Sequence, residues 1–129
     1  MYKEFIPYEQ ALELKELGFD EPCFAAMDMY SNIDYGSEMY NWIKNSETVQ
    51  STWAALPLYQ QAFRWFREKY ELNHIIIFQS KTKTYDAGII GDIKNFVDYS
   101  LIFNTYEEAE LACLKKLIEI AKNNKTYNN

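Results

Sequence analysis

The sequence predicts an α+β fold: a mostly antiparallel sheet of four to five strands with three amphipathic helices packed on it, in the order α-β-β-α-β-β-β-α. Three observations predict this class. Apolar residues recur at helical spacing in three segments, and the stretches between these segments are rich in alternating, β-branched or aromatic residues. The connections between residues 75 and 103 are also too short to hold a crossover helix, so the strands there are expected to pair antiparallel.

The first two helices each begin at a proline. One is expected from Pro7, where a missing N–H costs nothing, to Gly18, a suitable C-terminal cap. The other starts at Pro57. Its apolar stripe follows the i, i+3, i+4, i+7 pattern of a helix that buries one face, at Tyr59, Ala62, Phe63, Phe66 and Tyr70.

The third helix opens with a capping box, in which Thr105 caps the Glu108 amide and Glu108 reaches back. Its expected apolar face includes Cys113 and Leu117, and lysines lie toward its C-terminal end, where the helix dipole favours them. The strands are expected at 23–30, about 39–43, 75–79, 85–90 and 98–103, with the rest of 31–55 as loop.

Length and composition indicate one domain with a substantial core. The chain has 129 residues, of which 48% are hydrophobic and 17% aromatic, and a chain of this size buries roughly two-thirds of its unfolded surface. We therefore expect a single α+β domain over residues 1–122 and a polar, frayed tail over 123–129.

The sequence lacks the signals of a membrane or exported protein. No run approaches the ~18 apolar residues of a membrane-spanning helix, and the N-terminal residues contain no apolar signal-peptide region. Cys23 and Cys113 form no CxxC pair and are expected to be reduced and buried. These features predict a cytoplasmic protein.

The charge is unevenly distributed along the chain. Residues 1–47 carry 10 acidic and 3 basic side chains, whereas residues 48–129 carry 9 acidic and 10 basic ones. Nucleic-acid binding depends on a basic surface, and no basic stripe is present. We expect a solvated acidic front half and no nucleic-acid partner.

The residues that carry chemistry are few. His74 is the single histidine and stands at the start of a strand, and Cys113 is expected in the core. The acidic stretch that begins at Asp28 does not have the ligand spacing of a calcium loop, so it is interpreted as a polar turn. The sequence therefore predicts no catalytic residue, no metal site and no cofactor.

Aromatic side chains are the remaining binding candidates. Tyr35, Tyr40, Trp42 and Trp53 lie in or beside the long acidic segment, and Tyr and Trp that are exposed together mark recognition surfaces. The alternative is that this segment folds over the sheet and buries them. Both interpretations stay open.

Three stretches of the chain cover the three helices: PYEQAL with LKELGFDEPC, PLYQQAFRWFREKY, and YEEAELACLKKLIEI. Together they resemble a group of short proteins found in Bacteroides-type gut bacteria and in their phages and prophages. The resemblance implies a mobile-element setting. It carries no activity, cofactor or catalytic residue to this chain.

The favoured function is a non-enzymatic cytoplasmic module that acts through protein contacts and self-associates, for example as a homodimer. So many aromatic residues in a small domain leave more apolar surface than one core can hide. One alternative is a small-molecule or peptide pocket, possibly enzymatic, lined by Tyr40, Trp42 and Trp53. Another is an inhibitor that binds a host nucleic-acid enzyme through the acidic front half.

Overall fold

The computed structural model describes residues 2–35, 43–48, 52–91 and 99–127. Its contacts divide the chain into two compact units, residues 1–59 and 60–129. Each unit combines helices with one three-stranded antiparallel sheet. The predicted α+β class with three helices is confirmed, but the single sheet of four to five strands is wrong, because the six described strands form two separate sheets.

The first unit begins with a short 3₁₀ turn, Tyr2–Glu4, and continues into α1, Tyr8–Glu16. Pro7 is the N-cap, and its carbonyl accepts a hydrogen bond from the amide of Ala11 at 2.9 Å. At the other end, Gly18 adopts a positive φ of 97°. The Gly18 and Phe19 amides bond back to the carbonyls of Lys15 and Leu14, which is the Schellman ending of a helix. The predicted boundaries of this helix are confirmed.

The sheet of the first unit contains three short strands in the spatial order β2-β1-β3. They are β1 (Ala25–Met27), β2 (Ile33–Tyr35) and β3 (Ala54–Leu56). β1 lies within the predicted strand 23–30. β2 and β3 fall in the segment 31–55, where the sequence predicts a loop apart from a strand at 39–43. Three-residue strands carry too little pattern to detect, and alanines form most of β1 and β3.

The predicted strand at 39–43 lies outside the described residues except for Ile43. That residue forms an isolated antiparallel bridge with Cys23, in which each amide donates to the other's carbonyl at 2.8 Å. A second 3₁₀ turn, Asn45–Glu47, follows. Isolated pairing therefore exists at one end of the predicted strand.

The second unit contains the remaining elements, and its sheet has the order β4-β5-β6 with antiparallel pairing throughout. This confirms the predicted meander. The elements are α2 (Tyr59–Tyr70), β4 (Asn73–Gln79), β5 (Thr84–Ile90), β6 (Tyr99–Phe103) and α3 (Tyr106–Tyr127).

The start of α3 has the predicted cap, since the hydroxyl of Thr105 accepts a hydrogen bond from the Glu108 amide at 3.1 Å. The backbone of α3 then stays helical to Tyr127. It thus includes residues 123–127, which the sequence predicts to belong to a polar tail. A helix that is already anchored can add residues cheaply, even polar ones, because each extra residue adds a hydrogen bond without a new nucleus.

The core of the second unit lies between its helices and one face of its sheet. α3 packs against all three strands, and the apolar stripe of α2 is buried as predicted from its spacing. The side chains that are at most 2% exposed come from α2, β5, α3 and the connection between α2 and β4; they include Ala62, Phe63, Phe66, Leu72, Ala87, Ile89, Cys113, Leu114, Leu117 and Ile118.

Candidate functional site

The structure describes two of the four predicted aromatic binding residues, Tyr35 and Trp53, and places them at opposite ends of β1. Tyr35 is 40% exposed and pairs with Ala25, whereas Trp53 is half-buried and precedes Ala54, which pairs with Met27 at the other end of β1. The backbone carbonyl of Trp53 accepts a hydrogen bond from Lys15 Nζ at 2.6 Å. Tyr40 and Trp42 lie outside the described residues, so the predicted cluster as a whole is not tested.

The acidic stretch at Asp28 forms a turn, as interpreted from its sequence. One carboxylate oxygen of Asp28 accepts the amides of Tyr30 and Asn32 at 2.9 Å, and the other accepts the Asn32 side-chain amide at 3.0 Å. Burial raises the pKa of Asp28, but these hydrogen bonds together outweigh burial and hold the pKa below its usual value. The carboxylate is thereby committed to donors of its own turn.

His74 lies at the start of β4, with its ring stacked on Phe63. Its Nδ1 atom is buried and has no hydrogen-bond partner among the described residues. Burial, together with the positive charge of Arg67, lowers the pKa of His74 to about 4. The imidazole is therefore neutral at physiological pH, and its stacked position is that of a structural residue.

Both cysteines are buried, and neither forms a disulfide. The Cys113 thiol points at the carbonyl oxygens of Ile75 and Gly88, at 3.9 and 3.8 Å, beneath the β4–β5 pair. Burial raises its pKa to about 11, so the thiolate is scarce at neutral pH. The predicted inert core position of Cys113 is confirmed.

The two faces of the β4-β5-β6 sheet have opposite characters. Residues directly opposite each other in antiparallel strands project on the same face. Ile76 pairs with Ala87 and His74 with Ile89, and these residues belong to the face that the helices cover. The alternate residues of each strand belong to the other face.

That other face carries four isoleucines, which we call the isoleucine face: Ile75, Ile77, Ile90 and Ile102. Ile77 and Ile102 lie on either side of Asp86 in one cross-strand row. Their side chains are 53% and 68% exposed, and Ile90 is 42% exposed, whereas Ile75 is half-buried. Large apolar side chains grouped on one sheet face are far from the usual distribution of single exposed apolar residues.

A single carboxylate interrupts the isoleucine face. Asp86 Oδ2 accepts a hydrogen bond from the side-chain amide of Gln79 at 2.9 Å. Asp86 Oδ1 is buried and has no hydrogen-bond partner among the described residues. The register places Gln79 on the same face as Asp86, so this hydrogen bond joins two diagonal neighbours on adjacent strands.

Strand β6 exposes apolar side chains on both faces of the sheet. Leu101 and Ile102 are consecutive and so project on opposite faces, yet they are 48% and 68% exposed. In β4, by comparison, residues 74–76 are half-buried. Only Ile77 and Phe78, near the end of that strand, expose apolar side chains on both faces. Within the described residues, the margin of the sheet at Leu101 and Ile102 is therefore exposed on both faces.

The first unit also exposes apolar side chains, but they are dispersed. Met29 and Tyr30 lie in the turn beyond one end of β1, and Phe24 and Tyr35 lie at the other end. The isoleucine face is the more continuous apolar surface. Its strand at 75–79 is predicted from the sequence, but the binding residues are predicted among the aromatics instead. The sequence signal for this face is the uninterrupted apolar run Ile75–Phe78. A strand with one covered face needs apolar residues only at every second position, so a continuous run places apolar side chains on the second face as well.

Compared with protein-family models, curated proteins and solved structures, the chain matches none of them. Across the described ranges, no three His, Cys, Asp or Glu side chains are grouped so that they could hold a metal ion. No helix in the same ranges is both long enough and apolar enough to cross a membrane.

Proposed function

We propose that the protein is an interaction module that binds another polypeptide through the isoleucine face and the adjoining margin of the β4-β5-β6 sheet. The observation that supports this proposal is the exposure of Ile77, Ile90 and Ile102 on a single face. Apolar area gains about 25 cal/mol for each Å² that is removed from water, so a partner that covers these side chains gains free energy. Exposed apolar patches of this kind commonly mark sites of protein contact.

The rigidity of the surface adds to this argument. All three isoleucines belong to strands of one hydrogen-bonded sheet, and α3 packs against the opposite face of that sheet. The backbone of this surface is therefore already ordered, so binding a partner costs little conformational entropy on this protein. Two groups of the same unit with reactive potential do not lie on this face: His74 belongs to the opposite face, where it stacks on Phe63, and Cys113 is buried. Their positions favour binding over catalysis.

The cytoplasmic location and the mobile-element setting are part of this proposal as predictions from the sequence. The binding proposal depends on neither the location nor the setting, because the experiment below tests the isoleucine face itself.

A library of displayed random peptides tests the surface with no partner assumed. The full-length protein is immobilised as wild type and as the double variant Ile77→Lys, Ile102→Lys, which places two charges on the isoleucine face. The matched control is Ser80→Lys, Asn104→Lys, which adds the same charge at exposed positions outside the strands. We expect wild type and control to enrich the same apolar peptides and the double variant to lose them.

Two results would contradict the proposal. One is enrichment of the same peptides by the double variant, which would place binding elsewhere. The other is failure of the wild type to enrich any sequence. Circular dichroism of each variant verifies that the added lysines leave the secondary structure intact.

A further inference from the structure

The outer edge of β6 lacks the features by which proteins protect an edge strand. Its five residues, Tyr99–Phe103, include no charged residue and no proline. Its pairing with β5 runs without a bulge, and no described strand pairs with its other side. An edge of this kind presents unpaired amides and carbonyls to any strand that can lie against it.

We infer that the occupant of this edge is β6 of a second copy of the chain, paired antiparallel about a two-fold axis. The two sheets then join into one sheet of six strands. This inference rests on the proposed function and names the partner of the same sheet. It is a case of β-strand addition, in which main-chain hydrogen bonds provide affinity and the side chains provide specificity.

Charge favours a second copy over a partner of opposite charge. β6 contains no charged residue, so a charged strand would find no opposite charge on it and an uncharged strand fits it best. β6 of a second copy is such a strand. Residues 60–129 contain 10 basic and 9 acidic side chains, so two copies of this unit do not repel each other strongly. The acidic excess of the chain belongs to residues 1–59, which carry 10 acidic and 3 basic side chains.

The strand is also complementary to itself. When two copies of Tyr99–Phe103 pair antiparallel over their whole length, Leu101 lies opposite Leu101 of the second copy. Ile102, which is 68% exposed, becomes a diagonal neighbour of Ile102 of the second copy. The axis runs perpendicular to the sheet, so the isoleucine faces of the two copies form one continuous surface.

β6 suits this role better than β4, the other edge strand. β4 is half-buried over residues 74–76 and is exposed on both faces only near its end, at Ile77 and Phe78, whereas β6 is exposed on both faces at its centre, at Leu101 and Ile102. Pairing of β4 with β6 of the next copy would also leave free edges at both ends and produce open chains. Pairing of β6 with itself closes after two copies.

Cysteine cross-linking tests this register in the full-length protein. Cross-strand neighbours have Cα atoms about 4.5–5.5 Å apart, a separation that a disulfide can bridge. Under mild oxidation we expect Leu101→Cys to form a disulfide-linked dimer. The matched control, Ile77→Cys, has similar exposure, 53% against 48%, but lies on β4 and is expected to stay mostly monomeric. The native cysteines are buried.

Sedimentation across protein concentration provides the second measurement. We expect the wild type to form dimers, and we expect Leu101→Lys to weaken them roughly tenfold or more, because two ammonium groups then face each other across the axis. Ser80→Lys, in the β4–β5 turn, should leave the dissociation constant unchanged.

Three results would overturn the inference. The wild type could stay monomeric, or it could form open-ended polymers. The third result is a dimer that is cross-linked through Ile77→Cys but not through Leu101→Cys. The peptide selection separates this failure from failure of the proposed function. If apolar peptides still bind and Lys at 77 and 102 abolishes their binding, the sheet remains a docking surface for a partner other than this chain.

Discussion

The imidazole of His74 stacks on the phenyl ring of Phe63, with ring centroids 3.7 Å apart and ring planes inclined by 16°. Phe63 belongs to the buried stripe of α2 and is 2% exposed. His74 therefore joins the start of β4 to the core beneath α2. A proton on this ring would have to be carried close to Arg67 in a largely desolvated position.

Acidification is expected to destabilise the protein through His74. Its pKa is about 4 in the folded protein and about 6.5 when the chain unfolds. The unfolded chain therefore binds more protons between these values, so stability falls as the pH decreases from about 6.5 to about 4 and the effect levels off below that. After allowance for partial exposure of the ring we expect a loss of about 1–2 kcal/mol. Urea unfolding at a series of pH values measures it.

The variant His74→Phe isolates this effect from the titration of carboxylates. It keeps an aromatic ring against Phe63 but cannot be protonated. We expect its stability to fall less than that of the wild type between pH 6.5 and 4. Parallel profiles for the two proteins would show that His74 titrates alike in the folded and unfolded states.

Asn45 is expected to be a key residue of the first unit, because it joins three segments. Its side-chain amide donates to the Phe19 carbonyl at 2.7 Å, and its side-chain oxygen accepts the Ala55 amide at 2.9 Å. Asn45 is buried, and Asn45→Ala removes both of these hydrogen bonds from the interior. We expect a loss of about 2–4 kcal/mol in urea unfolding. Ser46→Ala, at the exposed neighbouring position, should cost less than about 0.5 kcal/mol, and equal effects of the two substitutions would contradict this role.

The contrast between Asn45 and α1 shows how far the sequence could predict this fold. α1 is bounded by Pro7 and Gly18, whose backbone preferences act locally and are recognisable without the structure. Asn45 is one polar residue in a polar segment. Its importance comes from Phe19 and Ala55, which are distant in sequence and which no periodicity connects to it.

The sheets show the same limit. Long strands with β-branched residues were predicted correctly as a meander at 75–103, because their pattern and short turns are local. The three-residue strands β2 and β3 were missed, since alanines and a short alternation give no signal apart from their partners. The candidate site was predictable in part: the apolar run of β4 was visible, but which face stays open depends on where the helices pack.

The N-cap of α3 is expected to contribute to stability by the amount typical of such caps. The Thr105 hydroxyl accepts the Glu108 amide, one of the four amides that a helix start leaves unpaired. Thr105→Ala should therefore cost about 1 kcal/mol, and Thr105→Asp, which restores an acceptor, should recover most of it. Chemical denaturation measures both, and a loss in the Asp variant as large as in the Ala variant would contradict a capping role.

The two thiols are expected to be protected from reagents in the folded protein and available after unfolding. Cys23 and Cys113 are 1% and 0% exposed, and burial raises the pKa of Cys113 to about 11. At pH 8 only about one Cys113 in a thousand is then a thiolate, even before steric protection is considered. A thiol reagent should modify both residues rapidly in urea and at least 100-fold more slowly in buffer. The single variants Cys23→Ala and Cys113→Ala assign each rate, and rapid modification of Cys113 in the folded Cys23→Ala protein would place this thiol outside the core.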